Sequence, residues 1–260
     1  MKEYVSGPDA RDILKCDKET LNAILKEGKI ESFRREDGAW QIKRADLVRY
    51  AEENASDIRS FVLRARFREE RLIDNPIKYF KSHFSTLYAT AHCYVGLKKA
   101  AEKGLVNRSD FQNNFSSFYG MIGVYVTPEF KEKYFARLKQ ILDDGEELTL
   151  DTLTMDADNI RSDRKIEYSF ITKMYNLVDD TRFPIYDKNV LSALKIKSVN
   201  KFLDLYKENY LAIISAYESS RDVWEPVVKT FREYFDLEGC KYISDLRILD
   251  VLIWCIGGRK

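Results

Sequence analysis

Apolar side chains recur at helical spacing through most of the chain, and the exception lies in its first fifty residues. Residues 4–52 read as helix, turn, helix, short hairpin, helix. Pro8 suits the first turn of a helix over 8–15, and Ile13 and Leu14 give that helix an inward face. Asp17 then caps a second helix, whose Leu21, Ile24 and Leu25 form one apolar stripe ending at Gly28. Lys18, Thr20, Asn22, Lys26 and Lys29 are left on its polar face. Next, Phe33-Arg34-Arg35 and Trp40-Gln41-Ile42-Lys43-Arg44 flank Asp37-Gly38, a pair suited to the positive φ of a tight hairpin turn. Trp40 is expected to hold that hairpin on the helices. Residues 56–72 predict a connecting helix with Ile58, Phe61, Ala65 and Leu72 on one stripe, and with Arg59, Arg64, Arg66, Arg68 and Arg71 solvated elsewhere. From Asn75-Pro76 onward the pattern predicts helices over 77–103, 108–123, 128–143, 165–178, 188–195, 199–217, 221–235 and 242–256. The expected division is a front domain at 1–54, an Arg-rich linker helix at 55–74 and a helical domain at 75–260.

Composition narrows this picture. The chain has 260 residues, 45% of them hydrophobic, with only 11 Gly and 5 Pro against 16 Tyr and 15 Phe, which favours long helices packed through aromatic cores. With 43 Lys and Arg against 42 Asp and Glu, a polyanion would have to be held by local patches rather than by the field of the whole molecule. The apolar run Val251–Ile256 is far shorter than the roughly 20 residues that cross a bilayer, so no membrane partner is expected. Cys16, Cys93, Cys240 and Cys255 make no paired spacing, and the opening residues contain no apolar signal core, so a reducing cytoplasm is expected. His83 and His92 lack a nearby Glu in metal-ligand register; neither metal nor cofactor is expected.

Three segments of the front domain resemble the excisionase-like, MerR-type winged helix-turn-helix family. They are Asp9-Ala10-Arg11-Asp12-Ile13-Leu14 entering the turn, Thr20 to Ile30 with Lys26-Glu27-Gly28-Lys29 at its end, and Trp40 to Leu47. The resemblance implies a double-stranded DNA partner, with the second helix in the major groove and the basic hairpin along the neighbouring backbone. On that reading Lys26, Arg34, Arg35, Lys43 and Arg44 meet phosphates, Thr20 and Asn22 touch base edges, and Lys18 is a further DNA-binding residue. Glu27, Glu31, Glu36 and Asp37 give this region more acid than the family pattern carries.

In the rear, the run from Arg164-Lys165 through Phe170 to Lys173, followed by Phe183-Pro184-Ile185-Tyr186-Asp187 and Val190 to Leu194, reads as helix, loop, helix. It resembles the helix-hairpin-helix DNA glycosylases, above all their oxoguanine-glycosylase-like branches. That resemblance implies an all-α domain in which a Lys opens the helix after the hairpin and an Asp heads the next helix. Lys165 and Asp187 match those places, and Lys173 competes with Lys165. No Gly lies between Gly145 and Gly239, so the family's Gly-x-Gly turn is absent or remodelled, and Arg161 and Arg164 take its place as phosphate contacts.

The chemistry follows from charge. Breaking an N-glycosidic bond develops positive charge on the sugar, which the carboxylate of Asp187 would stabilise; a neutral Lys would attack the anomeric carbon. A flipped base needs an aromatic pocket, for which Tyr168 and Tyr186 are expected. The rival reading is a non-enzymatic transcriptional regulator whose rear domain dimerises or binds a ligand.

Overall fold

The computed structural model describes residues 3–14, 16, 18–28, 30–121, 126–162, 165–196, 203–235 and 241–258. Asp17, Lys29, Arg164 and Cys240 lie outside the described residues. Fourteen α-helices and five short strands are present among those described.

The front of the chain runs β1 (Tyr4–Ser6), α1 (Gly7–Leu14), α2 (Lys18–Lys26), β2 (Ser32–Arg34), β3 (Trp40–Lys43) and α3 (Arg44–Glu53). Its antiparallel sheet has the order β1-β3-β2, with Val5 opposite Ile42 and Phe33 opposite Gln41. β1 was not expected, because three residues are too few to show a period of two. Gly28 and Gly38 hold φ of +71° and +78°, which ends α2 and turns the hairpin at little steric cost. Ala10, Leu14, Leu21, Ile24, Ile42, Leu47 and Tyr50 form the front core. Trp40 packs against that core and its Nε1 donates to Asn22 Oδ1 at 3.2 Å, tying hairpin to helix as expected.

The connecting helix, α4 (Ala55–Glu69), is part of both cores. Ile58 and Val62 complete the front core, whereas Leu63 and Phe67 enter the rear one. Neighbouring residues on a helix point about 100° apart, so one rod can serve both sides. Its arginines are not simply solvated. Arg64 grips Asp222 with two hydrogen bonds, of 2.8 and 2.6 Å, and Arg59 donates to the Leu194 carbonyl at 3.3 Å. Ser60 donates to the Ser219 carbonyl at 2.9 Å and accepts from Ser220.

Behind it come α5 (Pro76–Ser82), α6 (Phe84–Glu102), a 3-10 turn (Leu105–Asn107), α7 (Ser109–Phe118), α8 (Pro128–Asp144) and α9 (Leu150–Asn159). After these follow β4 (Arg161–Ser162), β5 (Lys165–Ile166), α10 (Tyr168–Val178), α11 (Lys188–Ala193), α12 (Leu203–Glu218), α13 (Arg221–Phe235) and α14 (Asp245–Gly257). The predicted helix over 77–103 breaks at His83, and α9 was not anticipated. α9 starts on a reciprocal cap between Thr149 and Thr152, and it buries Leu153, Ala157 and Asp156. The rear is therefore not all-α. At the place where the glycosylase family carries its turn, expected to be absent or remodelled, Arg161 pairs with Ile166 and Ser162 with Lys165 in a short β-hairpin.

α10 runs through the middle of the rear core, with every residue from Ile171 to Leu177 buried. The segment between α10 and α11 lies against it, held by buried side chains. Asn176 Nδ2 donates to the Phe183 carbonyl at 2.7 Å, Tyr210 to the Pro184 carbonyl at 2.8 Å, and the Ile185 and Tyr186 N–H groups donate to Asp250 and Thr172 at 3.0 Å each. Burying irregular backbone requires such partners. α11 then packs tightly on α14, and a Cβ added to Gly257 would fall 1.7 Å from the Asn189 carbonyl oxygen. Among the described residues no helix is long and apolar enough to cross a membrane.

Candidate active-site cleft

A cleft of about 540 Å³ opens between α6, the end of α7, α10, the start of α11 and α14. That volume falls within the range of small-molecule sites. Lys173 and Asp187 lie on its wall, Arg247 and Asp250 come from α14, and Phe118, Tyr119 and Trp254 supply aromatic surface.

Lys173 occupies the middle of α10, where it is the one charged residue. Its Nζ sits 3.9 Å from Asp187 Oδ2, 4.9 Å from the centre of the Phe170 ring and 3.4 Å from the Tyr119 carbonyl oxygen. Burial pushes its pKa below the usual lysine value, against the attraction of Asp187 and with the repulsion of Arg247. Asp187 is the N-cap of α11: one oxygen accepts from the Asn189 N–H at 2.8 Å while the other faces Lys173. The four hydrogen bonds on the preceding segment fix where that cap stands.

Asp250 is sealed more deeply. It accepts from Tyr217 Oη at 2.9 Å and from the Ile185 N–H at 3.0 Å, and burial raises its pKa to about 7. Arg247, one turn earlier, lies 4.9 and 5.8 Å from the centres of the Tyr94 and Tyr119 rings. Tyr119 is itself buried, which raises its hydroxyl pKa to about 12.

No family, curated protein or solved structure matches the chain.

The expected residues are therefore placed by geometry alone. Lys173 and Asp187 come together in the cleft. Lys165 does not open a helix: it lies in β5, opposite Ser162, and its side chain is outside the described residues. Arg161 is paired with Asp158. The expected base pocket is corrected, because Tyr168 and Tyr186 are buried in a cluster with Tyr206 and Tyr210 and do not line the cleft. Phe118, Tyr119 and Trp254 stand there instead.

In the front, Lys18, Lys26, Arg34, Arg35 and Arg44 reach the surface to differing degrees, with Arg34 stacked over Trp40 at 4.7 Å and Arg35 3.4 Å from Asp37. Lys43 is bound to Glu31 at 2.6 Å. Thr20 is buried at 3% exposure and faces the core rather than a base edge, and Asn22 is engaged by Trp40. Arg247 and Asp250 were not anticipated as site residues. The available signal was a charge at each of two positions three apart in the otherwise apolar run from Leu246 to Ile256.

Proposed function

We propose that the protein is a DNA glycosylase: the cleft receives a flipped base, and the front unit, a winged helix-turn-helix on this reading, holds the duplex. The observation that carries the proposal is the buried Lys173 set 3.9 Å from Asp187 in an open, aromatic-lined cleft. A desolvated lysine spends more of its time as the neutral amine, which is the nucleophilic form. Its nitrogen lone pair would bond to C1′ as the glycosidic electron pair leaves with the base, which takes up a proton. Loss of a proton from that nitrogen and expulsion of the sugar ring oxygen then give a protonated Schiff base, and water releases the sugar and the free lysine. Asp187 would face the positive charge that develops on the sugar during bond cleavage. Phe118, Tyr119 and Trp254 supply surfaces on which a flipped base can stack.

Incubation with DNA rich in modified bases, followed by borohydride, is expected to give a covalent protein–DNA adduct. Lys173→Met should lose the adduct while still binding duplex DNA, and Asp187→Asn should slow its formation. Base release with no adduct would replace the amine by water. Neither release nor adduct, with salt-dependent DNA binding retained, would leave the regulator reading in its place.

A further inference from the structure

Arg247 poses an electrostatic problem that the glycosylase reading does not use. Its residue exposure is 6%, yet among the described residues its guanidinium has neither an ion-pair nor a hydrogen-bond partner; Nε is sealed without an acceptor. Asp250 stands one turn away, but both its oxygens are already committed to Tyr217 and Ile185. The other acid of the cleft, Asp187, is engaged by Lys173 and by its own helix. The Tyr94 and Tyr119 rings contact the cation without supplying a negative charge. The Tyr119 hydroxyl is a second buried donor with no acceptor. A buried charge is normally paired, and a guanidinium presents a planar fork suited to two oxygens. Phe118, Tyr119 and Trp254 line the same cleft as Arg247.

We propose that Arg247 is an anion subsite, so that the cleft takes a planar ring bearing a negatively charged oxygen edge, such as a carboxylated nucleobase, and refuses a cationic alkylated one. The inference rests on the cleft being the base site. Charge on the leaving group would then meet a fixed cation, whereas a base already carrying positive charge would be repelled by Arg247.

Binding of free ring compounds to the full chain, read by calorimetry, tests this without any catalysis. Orotate, a pyrimidine with a ring carboxylate, is expected to bind at least about tenfold more tightly than uracil, and the N-methylnicotinamide cation not measurably, as a charge-assisted hydrogen bond implies. Arg247→Gln should erase the preference for orotate and Arg247→Lys should keep part of it, with circular dichroism checking that both fold. Should Arg247→Gln fail to fold, the wild-type series decides alone. Equal affinity for orotate and uracil, tighter binding of the cation, inorganic phosphate binding as well as orotate, or no binding of any ring would each overturn the proposal. Orotate preference without base release from DNA would uphold the subsite and remove the glycosylase; base release without the preference would do the reverse.

Discussion

Gly257 is the point at which a single methyl group should disturb both stability and the site. In Gly257→Ala the new Cβ would lie 1.7 Å from the Asn189 carbonyl oxygen, 2.6 Å from its carbon and 3.0 Å from its Cα. A carbon–oxygen contact needs about 3.3 Å, so α11 and α14 would have to separate by about 1.6 Å along that line. No side-chain rotation can absorb this, because all three nearest atoms are backbone. Overpacking of this kind costs about 1–3 kcal/mol, which for a chain of this size lowers the melting temperature by roughly 2–12 °C. The displacement also reaches the chemistry. Asn189 lies two residues beyond Asp187 and its N–H holds that carboxylate, so moving it pulls Asp187 from its 3.9 Å approach to Lys173. A misplacement of about 1 Å at a reacting centre can cost on the order of a hundredfold in rate. Thermal unfolding and adduct formation measured on the same sample check both effects. Gly96→Ala is the control: nothing lies within 4 Å of its added Cβ, in an exposed helical position, and Ala there should stabilise by up to about 1 kcal/mol. A Gly257→Ala protein melting within about 1 °C of wild type would refute the close approach and the reasoning built on it.

Asp250→Asn should change the pH dependence of stability. The folded chain keeps the Asp250 proton up to about pH 7, whereas an unfolded Asp releases it near 3.8, so between those values wild type loses stability as pH rises. Asn carries no such proton, and its stability relative to wild type should improve from pH 4 to 8 by up to roughly 4 kcal/mol; urea midpoints at the two ends settle this, and a constant difference contradicts it. Arg137 donates to Asp156 at 2.9 Å and to Glu146 at 2.7 Å, while Tyr175 donates to Asp156 at 2.8 Å. Arg137→Met should destabilise by about 3 kcal/mol, and adding Asp156→Asn should recover part of the loss, since the harm lies in the stranded carboxylate. Asn22→Ala removes the acceptor for Trp40 Nε1 and should cost about 1 kcal/mol while weakening duplex binding, with orotate affinity unchanged. Loss of both affinities would show that this bond matters beyond the front unit.

Much of the helical framework was legible because apolar side chains repeat at the helical period, as in α2, α8 and α13. Short elements were not: β1 and β5 carry three and two residues, too few for an alternation to show. α9 escaped because its stabilising features are polar, namely the Thr149–Thr152 cap and the buried Asp156 joined to Arg137 from the preceding helix. The pairing of Lys173 with Asp187 was half readable. Asp187 announced itself as a cap after Pro184, but which lysine faced it depended on the β-hairpin displacing Lys165 from the helix start. Tyr168 and Tyr186 illustrate the opposite failure, since a tyrosine in an aromatic-rich chain has many neighbours on which to pack, and only the assembled core shows which rings face a cavity.

The helix that carries Val62 into one core and Leu63 into the other has a consequence for how the molecule comes apart. Severing the chain at residue 54 would strip Ile58 and Val62 from the front, and severing it after 62 would take Ser60 and its bonds to Ser219 and Ser220 from the rear. Neither half keeps its own supports. Heating should accordingly produce one endotherm rather than two, and limited proteolysis should release no long-lived fragment at either end.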